Sequence, residues 1–219
     1  MDEYQFGYPS GQCRSCDALD GDRLGLRVRP YFTRGPGPKV MFIGQDPTIA
    51  RNPERVNYVL MLDQKNSRLS KWLTGIFGAD WRDSLTVYAT NLVKCSFRNL
   101  PGRAPEGAVK FLEPYFRHCS RHFRKEIYGF QPRLVLTFGE PAHKFFLSVL
   151  DKPAAHIPDS MKAAFTGRFV RASCQGVQFD YSPCLHITTF RVAQTYGETI
   201  KTFQKEIRAY CHDDRGGFS

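Results

Sequence analysis

The sequence predicts an α/β fold of three layers, α/β/α, around a central, mainly parallel four-stranded sheet, in a single domain over residues 1–219. Three observations carry this. Short apolar runs stop at a glycine or a polar residue, as buried parallel strands do. Between them lie stretches whose apolar residues recur at helical spacing. Strand and helix then alternate along the chain, a pattern that builds a parallel sheet covered on both faces, with ligands gathered at the strands' carboxyl ends.

Residues 1–38 read as an irregular lead-in, because 17–38 is rich in Gly, Arg and Pro and closes with Arg34-Gly35-Pro36-Gly37-Pro38. The first strand is Lys39-Val40-Met41-Phe42-Ile43-Gly44, which delivers Gln45-Asp46-Pro47 to a loop. From Ser67 to Phe77, Leu69, Trp72, Leu73 and Ile76 recur at helical spacing, and Gly78 ends the helix. Leu85 to Val93 reads as a second strand with polar residues at its end. Residues 97–107, with two prolines and two glycines, form a loop before a helix from Ala108 to Tyr128, which Pro114 is expected to kink or split. Arg133 to Gly139 repeats the glycine-stopped strand, and Glu140-Pro141-Ala142 opens a helix to about Leu150. A strand around Gln178 to Tyr181 leads into Ser182-Pro183-Cys184-Leu185-His186, a helix from Val192 to Tyr210 follows, and 213–219 is a loose tail. The polar residues at 45–47, 91 and 186 all fall at strand ends.

The chain carries 31 basic and 21 acidic residues, a formal charge of +10. That excess favours a polyanionic partner, because each phosphate contact by Lys or Arg releases condensed counterions. A merely basic surface is the alternative. Much of the excess accompanies aromatics, in Phe116-Arg117-His118 and Arg121-His122-Phe123-Arg124-Lys125, so the second stretch is either a polyanion-facing helix or a solvated one. No apolar run approaches the roughly 20 residues that cross a bilayer. Met1-Asp2-Glu3-Tyr4-Gln5 lacks the basic and apolar regions of a secretion signal. A cytoplasmic, monomeric protein without membrane contact is therefore expected.

Seven cysteines in such a chain argue against a disulfide framework and for metal ligation by several of them. Cys13-Arg14-Ser15-Cys16 has the two-residue spacer that lets two thiolates grip one metal centre from a single turn, and it needs two more ligands elsewhere.

Four segments, in this order, resemble the uracil-DNA glycosylase superfamily, above all its iron–sulfur branch, family four. The resemblance covers roughly residues 10–210. Gly44-Gln45-Asp46-Pro47 is similar to the first active-site motif in the form typical of the first family. Thr90-Asn91-Leu92-Val93-Lys94-Cys95 resembles the branch's strand-end segment. The stretch from Gln131 to Ala142 is similar to the strand and helix that follow it, and His186, after Pro183-Cys184-Leu185, stands at the second motif's histidine. The resemblance implies a DNA-repair glycosylase, nucleoid-associated, that hydrolyses the N-glycosidic bond of uracil or another deaminated base in DNA and leaves an abasic site. No lysine stands at a motif position, so a Schiff-base step is not expected. The alternatives are an iron–sulfur protein of this fold that senses damaged or abasic DNA without excision, and a zinc-containing hydrolase of small nucleosides.

Carried over residue by residue, the resemblance makes Cys13, Cys16, Cys95 and Cys119 the ligands of a [4Fe–4S] cluster, with zinc the less favoured occupant. Cys174 or Cys184 is the substitute for Cys119; these two and Cys211 otherwise read as small core or surface residues. Asn91 would read uracil, its carbonyl accepting from N3–H and its amide donating to O4, a pattern cytosine reverses. A strand-end cap is the plainer reading of Asn91. Asp46 would activate water and steady the oxocarbenium-like sugar while His186 hydrogen-bonds uracil O2; otherwise Asp46 is a turn cap and His186 structural.

Gly44, Gln45, Pro47, Thr48, Met61 and Asn91 are the expected base-binding residues. The branch has glutamate at Gln45 and a small residue at Asp46, so the acid follows the first family. Thr48 replaces the tyrosine with which that family excludes thymine's methyl. Leu60-Met61-Leu62-Asp63 stands where the branch has Pro-Phe-Val-Gly, so stacking falls to Met61 or Tyr58, with Phe42 or Phe97 as compensating rings. Ile187 replaces the proline that normally follows the histidine. Phe190 is placed as the wedge that fills the vacated base stack, with Arg191 on a phosphate; a core role for Phe190 is the alternative.

Overall fold

The computed structural model describes residues 5–9, 13–19, 23–25, 28–47, 56–151, 157–185 and 192–212, with residues 192–195 and 212 described in backbone alone. In chain order the strands are β1 (Arg23–Gly25), β2 (Tyr31–Thr33), β3 (Lys39–Gly44), β4 (Thr86–Asn91), β5 (Ser96–Phe97), β6 (Leu134–Phe138), β7 (Val170–Cys174) and β8 (Val177–Cys184). The helices are α1 (Arg68–Phe77), α2 (Trp81–Ser84), α3 (Ala108–Phe130), α4 (Glu140–Leu147), α5 (Met161–Ala164) and α6 (Val192–His212).

The central sheet has the order β2-β4-β3-β6-β8-β7. Its inner four strands are parallel, as the alternation of strand and helix predicts. The sheet nevertheless has six strands where four were expected, because β2 and β7 add an antiparallel edge on each side. Neither edge has an apolar run of its own. β2 is three residues long, and β7 is made by a tight turn in which Gln175 and Gly176 both have positive φ, the geometry that matches the twist of a hairpin. Two short strands lie in the expected irregular lead-in: β2 itself and β1, which pairs with β5 in a separate ribbon.

Alternation along the strands divides the core. Met41, Ile43 and Tyr88 face one side, where Phe116, Phe123, Ile127 and Phe146 of α3 and α4 cover them. Val40, Phe42, Val87 and Ala89 face the other, under Leu69, Leu73 and Ile76 of α1 and Phe203 and Ile207 of α6. The apolar stripe of α1 therefore does what its spacing predicts, and the Ser67 hydroxyl caps it by accepting from the Ser70 amide at 3.1 Å. Pro114 does not split α3, which runs unbroken to Phe130. Pro114 and Lys110, whose carbonyl loses its helical partner, both lie on the exposed face. This architecture brings the ends of β3, β4 and β6 together at one edge of the sheet.

Candidate active site

Gly44 and Asn91 are register partners at the ends of β3 and β4. Past the sheet the two chains remain joined: the Leu92 amide donates to the Gly44 carbonyl at 2.9 Å and the Val93 amide to the Gln45 carbonyl at 2.8 Å. A Cβ on Gly44 would strike Asn91 Oδ1 and lie 3.0 Å from Leu60 Cδ2, so only glycine permits this approach.

A cavity of about 370 Å³ opens at these strand ends, within the usual range for small-ligand sites. Gly44, Gln45, Asp46, Pro47, Met61 and Asn91, all expected from the sequence, line it. So do Val28, Val56, Val59, Leu60 and Phe138, which were not expected. Phe138 was findable, since like Asn91 it ends a strand. Tyr58, Phe42 and Phe97 are not among the described lining residues. Tyr58 packs on Tyr31 beneath the Arg29 guanidinium, 4.4 Å from its ring. Phe42 points into the core against Phe77, Trp81 and Phe138, because its neighbours along β3 take the opposite face. Phe97 packs on Phe111 and Tyr115. Thr48, His186, Phe190 and Arg191 lie outside the described residues.

Two polar groups of the cavity are deeply buried, while Gln45 and Ser67 are half-buried and Arg68 is exposed. Asp46 is 7% exposed and Asn91 1%. Asp46 Oδ1 accepts from Gln45 Nε2 at 2.7 Å. Among the described residues, Asp46 Oδ2 and Asn91 Oδ1 have no partner. A buried oxygen left unpaired is unfavourable by about 1–3 kcal/mol, so two of them at one cavity mark a place made to be completed by a ligand. Burial raises the Asp46 pKa to about 6, against the opposing hydrogen bond from Gln45. A carboxylate poised near neutrality is both ionised and basic enough to take a proton.

Behind Asn91 the strand end is tied to α3 by buried charge. Lys94, 1% exposed at its side chain, pairs with the fully buried Glu126. Its Nζ donates to Thr90 Oγ1 at 2.6 Å and lies 5.0 Å from the centre of the Tyr8 ring. Glu126 Oε1 accepts from Tyr88 Oη at 2.6 Å and Thr90 Oγ1 at 2.8 Å.

Beside this network four thiols collect. The Cys119 thiol hydrogen-bonds Cys16, which lowers the Cys16 pKa and raises that of Cys119, and Cys16 also feels the charges of Cys95, Arg23 and Cys13. Arg23 Nη1 donates to Cys95 Sγ at 3.5 Å, a position fixed by the pairing of β1 with β5. The Lys94 amide donates to Cys119 Sγ at 3.5 Å. Cys13 Sγ lies 4.0 Å from His122 Nε2. The sequence's substitutes for Cys119 are elsewhere: Cys174 donates to the Val149 carbonyl, and Cys184 is buried in the core under α1 and α6. Among the described residues no three His, Cys, Asp or Glu side chains are close enough to share one metal ion. On α3, Phe116 and Phe123 turn inward, while Arg117, His118, Arg121 and Lys125 are exposed. Among the described residues no helix is long and apolar enough to cross a membrane.

No curated protein matches the chain. The profile of the Uracil DNA glycosylase superfamily matches residues 32–205, from β2 into α6, and so takes in the cavity lining apart from Val28, with Asp46 and Asn91 and both faces of the sheet. The chain belongs to the uracil-DNA glycosylase superfamily.

Proposed function

We propose that the chain is a monofunctional glycosylase that hydrolyses the N-glycosidic bond of uracil in DNA, with other deaminated bases as further candidates. Membership of the superfamily points to a glycosylase and to DNA as its partner. The observation that carries the finer reading is the meeting of Asp46 and Asn91, each with an unpartnered buried oxygen, in one cavity at adjoining strand ends.

Chemistry on a base requires the nucleotide to leave the stack and enter such a cavity. The Asn91 carboxamide offers an acceptor for N3–H and a donor for O4; cytosine presents the opposite pair and leaves both groups unsatisfied. As the C1′–N1 bond breaks, its electron pair goes to the base and positive charge develops on the sugar. Asp46 faces that charge as a carboxylate and takes the proton of the water whose oxygen bonds to C1′. The aliphatic walls from Val28, Val59, Leu60 and Met61 keep other water away, which strengthens both interactions. His186 is assigned by resemblance to the departing base, hydrogen-bonding O2 as charge builds there. The exposed basic residues of α3 and the net charge of +10 suit a DNA backbone.

The thiol nest supports the iron–sulfur branch. Cys13, Cys16, Cys95 and Cys119 would hold a [4Fe–4S] cluster, a structural group that ties the lead-in to α3. A single zinc needs four sulfurs each about 2.3 Å from one point. A four-iron cluster takes one thiolate on each of four irons, so its ligands need not converge on a single point, and the resemblance favours it over zinc.

A uracil-containing oligonucleotide, single- and double-stranded, tests the reading with Asp46→Asn, Asn91→Ala and His186→Ala beside the parent. Strand scission on alkaline treatment of the abasic product is expected with the parent and strongly reduced with each variant. Equal cutting by all four proteins would overturn the site assignment.

A further inference from the structure

Lys94 is a buried cation that the proposed chemistry does not use. Its side chain folds back over the bend that follows β4, where Nζ donates to Thr90 Oγ1 at 2.6 Å and pairs with Glu126 on α3. Asn91, Leu92 and Val93 are the residues enclosed by this loop. The Thr90 hydroxyl donates in turn to Glu126 Oε1 at 2.8 Å, and Tyr88 Oη donates to the same oxygen at 2.6 Å. Another side of the ammonium faces the Tyr8 ring at 5.0 Å, and the Tyr8 hydroxyl donates at 2.9 Å to the carbonyl of Val28, a residue of the cavity wall. The polar groups of Lys94, Thr90 and Glu126 are thus all partnered.

A buried ion pair is a poor source of stability, because two apolar side chains of similar volume often serve as well or better. What it supplies is direction. Its hydrogen bonds hold the donor and acceptor atoms at set places, and here those places define the bend that carries Asn91. Thr90 and Asn91 alternate across β4, so a hydroxyl held on the α3 side of the sheet fixes the backbone from which the carboxamide enters the cavity on the other side. The same bend is pinned from β3 by the Leu92 and Val93 amides on the Gly44 and Gln45 carbonyls. Asn91 Oδ1 stands so close to Gly44 that a Cβ there would strike it, which leaves the carboxamide to be aimed by its own backbone.

We infer that Lys94 is a positioning residue, which acts with Thr90 and Glu126 to hold the bend that aims the Asn91 carboxamide at the base. The inference rests on the reading of Asn91 as the group that meets the base. Lys94 itself touches neither substrate nor cavity. Its ammonium closes the bend from behind, and a side chain without that donor leaves Thr90, and with it the backbone of Asn91, free to shift. An apolar pair in place of Lys94 and Glu126 fills the same space but directs nothing, which is what separates positioning from packing.

The test sets the pair variant, Lys94→Met with Glu126→Leu, beside the parent, Asn91→Ala and the three changes combined, in single-turnover excision of uracil from an oligonucleotide. A misplacement of about 1 Å at a reacting centre is worth about a hundredfold, so kcat/KM is expected to fall about tenfold to a hundredfold in the pair variant. With Asn91 already alanine, the same pair change should cost no more than about twofold, because it acts through that side chain. Thr90→Val removes the shared hydroxyl while leaving the ion pair, so it should show the same pattern even if the pair variant does not fold; Thr90→Ser, which keeps the hydroxyl, should retain the parent's activity. Amide hydrogen exchange followed by NMR reads the bend without the chemistry: Leu92 and Val93 should lose protection in the pair variant at equal global stability. An unchanged kcat/KM, or a loss equally large when Asn91 is already alanine, overturns the inference and leaves the glycosylase intact. A parent that cuts no uracil-containing DNA removes the glycosylase reading; exchange then decides the role of Lys94 by itself, and full protection of Leu92 and Val93 in the variant overturns it.

Discussion

Asp46 makes the folded state depend on pH in a calculable way. Its carboxyl is raised from the ordinary 3.8 to about 6 by burial, so the folded protein holds this proton more tightly than the unfolded chain does. Stability therefore falls as pH rises from about 4 through about 6 and levels off above it. At about 1.4 kcal/mol per pH unit of displacement, the ionised group costs the fold about 3 kcal/mol at neutral pH. Asp46→Asn removes the titration and can keep the contact with Gln45. Denaturant melts of the two proteins should converge near about pH 4, and the variant should gain about 3 kcal/mol over the parent by about pH 7, roughly 6–12 °C in melting temperature for a chain of this size. The same variant should lose excision, and in the parent kcat/KM should decline as pH drops through about 6 because the base becomes protonated. A stability difference that does not change with pH would show that Asp46 is solvated, and the argument for a poised carboxylate would fail.

Asn91→Ala removes two hydrogen bonds to the base, each worth about 0.5–1.5 kcal/mol, and should lower kcat/KM for uracil about tenfold to a hundredfold in single-turnover excision. Cys16→Ser or Cys95→Ser should abolish the brown colour and the absorbance near about 400 nm that an iron–sulfur cluster gives, with iron analysis as the check; a parent that purifies colourless with zinc would contradict the cluster. Lys94→Met leaves Glu126 as an uncompensated buried charge and should cost about 3–5 kcal/mol in a denaturant melt, while Lys94→Met with Glu126→Leu should recover most of the loss.

The parallel centre of the sheet was legible because each inner strand is an apolar run with a clear stop; Lys39–Gly44 has the bounds the sequence predicts. The edges were not, since three residues such as Tyr31-Phe32-Thr33 become a strand only by pairing with Val87, Tyr88 and Ala89. Asp46 and Asn91 were readable as polar residues at strand ends. Leu60 was hidden because aliphatic cavity lining looks like core. Glu126 left a trace: it falls in the apolar stripe of α3 beside Phe123, Ile127 and Phe130, where a charge needs a buried partner. Nothing in the sequence names Lys94 as that partner, since the contact spans the packing of β4 against α3.

The segment before β2 is fastened to the rest of the molecule at many points: the β1–β5 ribbon, Arg23 on Cys95, the Arg29 backbone against Asn57 and Val59, Tyr8 under Lys94, and Phe6 among Phe32, Tyr88 and Phe130. A cluster on the four proposed thiolates would add one more clasp, between this stretch and α3, to a strap already sewn down. Because Val28 lines the cavity and the Arg29 carbonyl holds the Val59 amide beside it, loosening this stretch would reach the cavity as well, so the durability of the cavity and the anchoring of the N-terminal stretch are coupled properties of this chain.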